Sequence, residues 1–396
     1  MAKKAYIGVN NVARQVKKGY IGVDGVARKI KKAYIGVGGV ARPCWSGDAL
    51  AYYGTITPLS SLREYMGRGM IGNYALFAGG YESYQTTDYD GTYTNYRNTD
   101  KVEAYNSNLT KSNVSSLSYA GQYVANANVG AYTLFNVGSS NYMNFYTATL
   151  TKGGPFSSFS VGSGVGGVSV GSDYAIFAGG VNGNNAYGVT TIYDASLTRT
   201  KGANMSPRAY AGTASIGEYG IFAGGQLGDG TSVTSVEAYN SSLTKITVGT
   251  VHYNAHCASA VVGKYALFAG GKYERSSQDI HNTYSAVSIF DENLTKQNPS
   301  SLSTPRYDMG ATTLGSYAIF AGGNYVEKGT TVTIHTVSAV VDVFDGDLTR
   351  TIAQDLSVAR GGLTGATVGR YALFAGGGTT GNDSVNLDIV DVYVTA

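Results

Sequence analysis

The phrase YALFAGG at Tyr74 returns six more times: as YTLFNVG at Tyr132, YAIFAGG at Tyr174, YGIFAGG at Tyr219, YALFAGG at Tyr265, YAIFAGG at Tyr317 and YALFAGG at Tyr371. The steps between copies are 58, 42, 45, 46, 52 and 54 residues. A strand-like phrase recurring at intervals of roughly 40–50 residues means units that bury their apolar faces only against one another, the sequence mark of a β-propeller. Seven copies predict seven blades. Composition agrees, with 55 Gly and 33 Tyr against 14% charged residues, because Tyr favours strands and Gly favours tight turns.

Each unit divides into four short strands. An apolar stretch such as GTASI or GATTL is strand a, and a two-residue turn follows at Gly72-Asn73, Gly217-Glu218, Gly263-Lys264, Gly315-Ser316 or Gly369-Arg370. The repeated phrase is strand b, segments such as VEAYN after Lys101 are strand c, and LTKSNV or LTKITV supplies strand d. The last unit stops at DIVDVYVTA, with no strand d of its own. The segment YYGTITPLSSLR precedes the first unit, so Thr55–Leu59 is expected to complete the seventh blade and hide two sheet edges at once.

The glycine pairs, the VEAY and VDVF strands, and Arg63, Arg208, Arg306 and Arg360 ahead of strand a resemble kelch repeats over roughly residues 49–396. The pattern departs from kelch in having Trp45 as its single tryptophan and Asn136-Val137-Gly138 in place of one glycine pair. The resemblance implies an all-β, seven-bladed kelch-like β-propeller. The four arginines are expected either to brace the blades or to bind an anion near the channel, with bracing favoured.

The first 45 residues are organised differently, as a basic β-hairpin repeat arm ahead of a propeller spanning 46–396. A fourteen-residue phrase occurs three times, as AYIGVNNVARQVKK, GYIGVDGVARKIKK and AYIGVGGVARPCWS. Asn10-Asn11, Asp24-Gly25 and Gly38-Gly39 between valines are two-residue hairpin signals. Residues 1–44 hold ten basic residues and one acid, a charge of +9, leaving −6 on the rest. Hairpins this small need a covering surface, so the arm reads as an assembly module, with Tyr6, Tyr20, Tyr34, Arg14, Arg28 and Arg42 as its candidate contacts. Its wording resembles virion proteins of the tail region in phages and prophages of Gram-positive hosts. That resemblance implies a location in the virion, with docking to other virion proteins and a homo-oligomer in the particle expected. The N-terminal lysines lack an apolar stretch behind them, so synthesis in a bacterial cytoplasm without a signal peptide is expected. Nucleic-acid binding is the weaker use of the charge, since the lysines fall at turns rather than on a groove-reading helix.

Strands that alternate in direction put the a–b and c–d turns on one face of the ring and the b–c and d–a connections on the other. The first face is tight. The second carries long tyrosine-rich loops: residues 81–100, with Tyr81, Tyr84, Tyr89, Tyr93 and Tyr96, then 272–285, with Tyr273 and Tyr284, then 324–338, with Tyr325. Loops on a rigid scaffold commonly bind, and Tyr gives contact area at low entropic cost. The expected partner is a host-surface glycan or protein, with the arm leaving from the opposite face. The alternatives are a virion protein that only decorates, and a kelch-like metal-dependent oxidase.

Signs of chemistry are sparse, and no catalytic residue, cofactor, metal or membrane span is expected. HYNAHC is expected to set His252 and His256 on one side of a strand beside Cys257, with His252 in the place of the repeat arginines; channel-lining or loop roles are favoured over metal binding. GSGVGG at 162–167 leads into a strand rather than a phosphate-cradling helix, and DYDG at 88–91 reads as a solvated turn. The two cysteines, Cys44 and Cys257, make no disulfide framework.

Overall fold

The computed structural model describes residues 50–395, apart from 160–161, 253–254, 276–279, 298–299, 329–332 and 380–384, together with the backbone of six strands within residues 6–46. Seven four-stranded antiparallel sheets follow one another along the chain. Blade 1 comprises Gly67–Ile71, Tyr74–Ala78, Val102–Asn106 and Lys111–Val114 as strands a to d. The inner strands neighbour one another in order, and that of blade 7 (Thr364–Val368) returns to that of blade 1. The chain is a seven-bladed kelch-like β-propeller.

The repeated phrase becomes strand b because both of its faces are buried. Leu76 and Ala78 pack with Phe135, Val137 and Tyr146 of blade 2, while Ala75 and Phe77 pack with Ala366, Leu373 and Val390 of blade 7. Seven such clusters fill the seven junctions between blades. An alternating strand would leave one face of each junction polar, so the phrase is nearly continuous in apolar residues. The glycine pair turns the chain sharply at its end: Gly79 and Gly80 have φ of +66° and +114°, and a Cβ on Gly79 would meet the Gly121 carbonyl oxygen at 2.6 Å. Blade 2 escapes this requirement by running strand b on to Val137 and closing with one 3₁₀ turn, Gly138–Ser140.

Ring closure is as expected in kind but not in register. Strand d of blade 7 is Leu50–Thr55, not Thr55–Leu59, and it pairs antiparallel with Val390–Thr395 from Thr395↔Leu50 to Asp391↔Thr55. The chain therefore enters the ring beside the end of strand c, on the face of the tight turns. Leu59 lies beyond the strand, in the core between blades 7 and 1.

Each fourteen-residue phrase forms its own two-stranded sheet: Tyr6–Val9 with Val12–Gln15, Gly19–Val23 with Val26–Ile30, and Lys32–Val37 with Val40–Ser46. Val9↔Val12, Val23↔Val26 and Val37↔Val40 close two-residue connections in all three. Register sets Arg14 opposite Ile7, Arg28 opposite Ile21 and Arg42 opposite Ile35; it sets Tyr6, Tyr20 and Tyr34 opposite Gln15, Lys29 and Pro43. The side chains of these six candidate contacts lie outside the described residues.

Candidate functional site

The long connections are not open loops. In blade 1 residues 81–98 form a hairpin, Tyr81–Asp88 with Gly91–Asn98, and blades 5 and 6 raise Lys272–Arg275 with Ile280–Thr283 and Asn324–Lys328 with Thr333–Val337. A period-two polar sequence around Asp90-Gly91 dictates the first of these, and an Asx turn from the Asp90 N–H to Asp88 Oδ1 at 2.9 Å fixes its tip. Blades 5, 6, 7 and 1 are consecutive around the ring, so the hairpins form a crest along one side of this face. Strand Ile280–Thr283 abuts strand Asn324–Lys328. On the other flank, Asn386 Nδ2 of the blade 7 connection donates to the Tyr81 carbonyl at 2.7 Å. At the base of the blade 1 hairpin, buried Glu82 accepts from Arg97 Nε at 2.7 Å and Lys101 Nζ at 2.8 Å. Burial alone would push its carboxyl up; these two cations outweigh it and hold it below the usual range.

The candidate tyrosines divide in two. Tyr89 at the tip is fully exposed, and Tyr84, Tyr93 and Tyr96 are also exposed. Arg97 lies over the Tyr84 ring at 4.6 Å, and Tyr81 stacks on Tyr96 at 5.6 Å. Tyr273, Tyr284 and Tyr325 sit lower and are half-buried. Tyr284 meets His252 edge-on at 4.5 Å, and Tyr325 lines a cavity of about 430 Å³ between the connections of blades 5 and 6. Of the candidate tyrosines, the exposed ones thus belong to blade 1 alone; elsewhere Tyr53, Tyr119 and Tyr142 are exposed as well.

Beside the crest, the end of the central channel is capped. The residue two places before each strand a is left-handed: Tyr65, Tyr123, Gly164, Tyr210, His256, Asp308 and Gly362 have φ between 49° and 69°. Six of their N–H groups donate to the carbonyl of the preceding member at 2.8–3.2 Å, a backbone belt that holds non-glycine residues in a conformation they otherwise avoid. Tyr65 stacks on Tyr123 at 4.5 Å and Tyr210 on His256 at 4.3 Å. His256 Nδ1 lies 2.9 Å from Asp308 Oδ1. The charge of Asp308 holds the Tyr65 phenol protonated far above its ordinary range, and burial does the same for Tyr123.

Next to the cap, Glu64 is pushed up to about 7 by burial and then by the nearby Asp308. The folded state therefore favours its neutral form. As pH rises from the ordinary carboxyl value of 4.5 to about 7, the unfolded chain ionises first and stability falls, the loss being complete above that window. Glu64→Gln is expected to melt a few degrees higher than the parent at pH 8 and level with it at pH 4. Equal melting temperatures at both pH values would remove Glu64 from this account.

His252 and His256 do not share a strand face. His256 is a left-handed turn residue of the cap, and His252 faces Tyr284. The repeat arginines precede the left-handed residue by two, whereas His252 precedes His256 by four, so His252 is not in their register. Cys257 faces the inter-blade core, where burial pushes its thiol up to about 12. The arginines are braces: Arg63, Arg208, Arg306 and Arg360 are fully buried against Glu103, Glu237, Asp342 and Asp391 of strand c in their own blades. The sequence signal for these carboxylates is a VE or VD pair in strand c that occurs only in the repeats that carry an arginine.

No protein-family model and no curated protein matches this chain. Among solved structures it is similar to that of YjhT, with a TM-score of 0.54 and 11% identity over 85% of this chain and 99% of that one. At that identity, the likeness is one of fold.

Proposed function

We propose that this chain is a non-enzymatic phage virion protein of the tail, baseplate or fibre region, whose arm docks to the particle and whose crest binds a host surface, a glycan above all. The observation that carries this reading is the blade 1 hairpin: Tyr84, Tyr89, Tyr93 and Tyr96 are exposed on a hairpin clamped at its base by Glu82, Arg97 and Lys101. Rings held on a stiff support stack on sugar faces at little entropic cost. The chain enters the seventh blade on the face opposite the crest, which supports a tether and a reader on opposite sides. The repeated basic phrase supports attachment to other virion proteins and a location outside the producing cell.

Whole-cell binding and a glycan array with the full chain test this reading. A variant carrying Tyr84→Ser, Tyr89→Ser and Tyr93→Ser is expected to fold as the parent does and to lose at least tenfold in binding. Equal binding by the two proteins would move recognition off this hairpin, and no binding by the parent to any host surface would favour pure decoration.

A further inference from the structure

The central channel carries an inference independent of the crest. The seven inner strands enclose a lumen of about 620 Å³. Below the cap, along the inner strands, its walls are mostly neutral and small-sided: Ser259 Oγ donates to the Thr213 carbonyl, Thr313 Oγ1 to that of Val261, and Thr367 Oγ1 to that of Thr313, stitching inner strand to inner strand. One position breaks the pattern. Strand a pairs with strand b through Phe77↔Arg68, Phe135↔Asn126, Phe177↔Gly167, Phe222↔Thr213, Phe268↔Ser259, Phe320↔Ala311 and Phe374↔Gly365. Six blades thus present a neutral residue at that tier, and blade 1 presents a guanidinium.

Arg68 donates to the Ala311 carbonyl across the lumen, and no carboxylate among the described residues pairs with it. The carboxylate that does line the lumen, Asp308, is already engaged by His256 Nδ1 at 2.9 Å. Burial depresses the Arg68 guanidinium, and no neighbouring acid opposes that. This separates Arg68 from the four brace arginines, each of which has its acid. Arg68 is half-buried in the lumen wall, where a cation without an ion-pair partner loses part of its hydration, and an anion that reaches it offsets that cost.

We propose that the lumen binds a small carboxylate monoanion on the free edge of the Arg68 guanidinium. One cation balances one negative charge. The planar fork left after the Ala311 bond matches a carboxylate, whereas a dianion such as phosphate would find no second cation. The tyrosine–histidine cap obstructs the crest end, while Met70 and Ser215 are exposed towards the tight turns, so the ligand enters from the face opposite the crest.

The test is the fluorine linewidth of trifluoroacetate with the full chain at fixed ionic strength. Broadening is expected with the parent, reversed by acetate and not by acetamide, and reduced at least fivefold in Arg68→Gln. Met70→Trp, which narrows the open end and leaves Arg68 in place, is expected to reduce it as well. Undiminished broadening in folded Arg68→Gln would overturn the proposal and assign the anion to the basic arm. Displacement by acetamide as strong as by acetate would overturn it in favour of a merely polar lumen. Should Arg68→Gln fail to fold, Met70→Trp decides, and unchanged broadening there would place the anion outside the lumen.

Discussion

A chain beginning at residue 45 is expected to fold as a closed ring, and one beginning at residue 57 is not. The difference is strand Leu50–Thr55, which enters blade 7 from the other end of the chain. Leu50 and Tyr52 pack in the cluster between blades 6 and 7, and the Tyr52 hydroxyl donates to Asp391 Oδ1 at 2.6 Å. Burying one large apolar side chain is worth about 1.5–3 kcal/mol. Leu50 and Tyr52 are each half-buried, so losing both, together with a sheet ladder, costs about 3 kcal/mol, a large part of the about 5–15 kcal/mol that holds an ordinary domain. It also bares strand Val390–Thr395 as an unpaired edge open to aggregation. Thermal melts by circular dichroism, with size-exclusion chromatography, read this directly. Equal melting of the 45–396 and 57–396 proteins would mean that the ring does not depend on its closing strand.

The blade count, the four strands of each blade and the two faces were legible because burial on both sides of strand b forces one phrase to recur. The closing strand lies five residues ahead of the expected Thr55–Leu59 for a chemical reason. In six blades, turn c–d is built by an Asn or Asp, or Thr147 in blade 2, two residues before a left-handed leucine's neighbour; Asn106 Oδ1, for example, accepts from the N–H groups of Asn108 and Thr110. Leu50–Thr55 is reached from the arm rather than through that turn, so the wording that marks strand d elsewhere is missing. The hairpin in blade 1 did leave a signal, Asp90-Gly91 between alternating residues, that reads equally as a solvated turn. The cap left none. Tyr65, Tyr123 and Tyr210 occupy backbone conformations that sequence rules reserve for glycine or asparagine, and only the belt of hydrogen bonds from neighbouring blades makes them stable there. Arg68 was visible in principle as the charged residue in a slot that otherwise holds Asn, Gly, Thr, Ser or Ala, but finding it required the seven inner strands in register.

Removing a brace arginine is expected to produce graded damage set by what remains beside its acid. Among the described residues, Arg360 and Arg63 stand alone against Asp391 and Glu103; Asp342 keeps Arg350 Nη1 at 3.0 Å, and Glu237 keeps Lys245 Nζ at 2.8 Å. Arg360→Met and Arg63→Met should therefore cost about 3–5 kcal/mol, the usual consequence of stranding a buried charge. Arg306→Met and Arg208→Met should cost visibly less. The repeats themselves show that a neutral pair is tolerated, since blades 2, 3 and 5 carry Asn144, Thr191 and Ser288 in the place of the acid. Asn144 even keeps the local contacts, accepting from the Ser118 N–H at 2.8 Å much as Asp391 accepts from that of Ser357 at 3.2 Å. Adding Asp391→Asn to Arg360→Met should then recover more than half of the loss. A stranded carboxylate also takes up a proton more readily than a braced one, so the deficit of Arg360→Met should shrink as pH falls from 7 towards 4 while that of the double variant stays flat. Urea midpoints at the two pH values measure this. If the single and double variants lose the same stability at both, the arginine acts by packing alone, and the matching of arginine to acid within each blade has no electrostatic meaning.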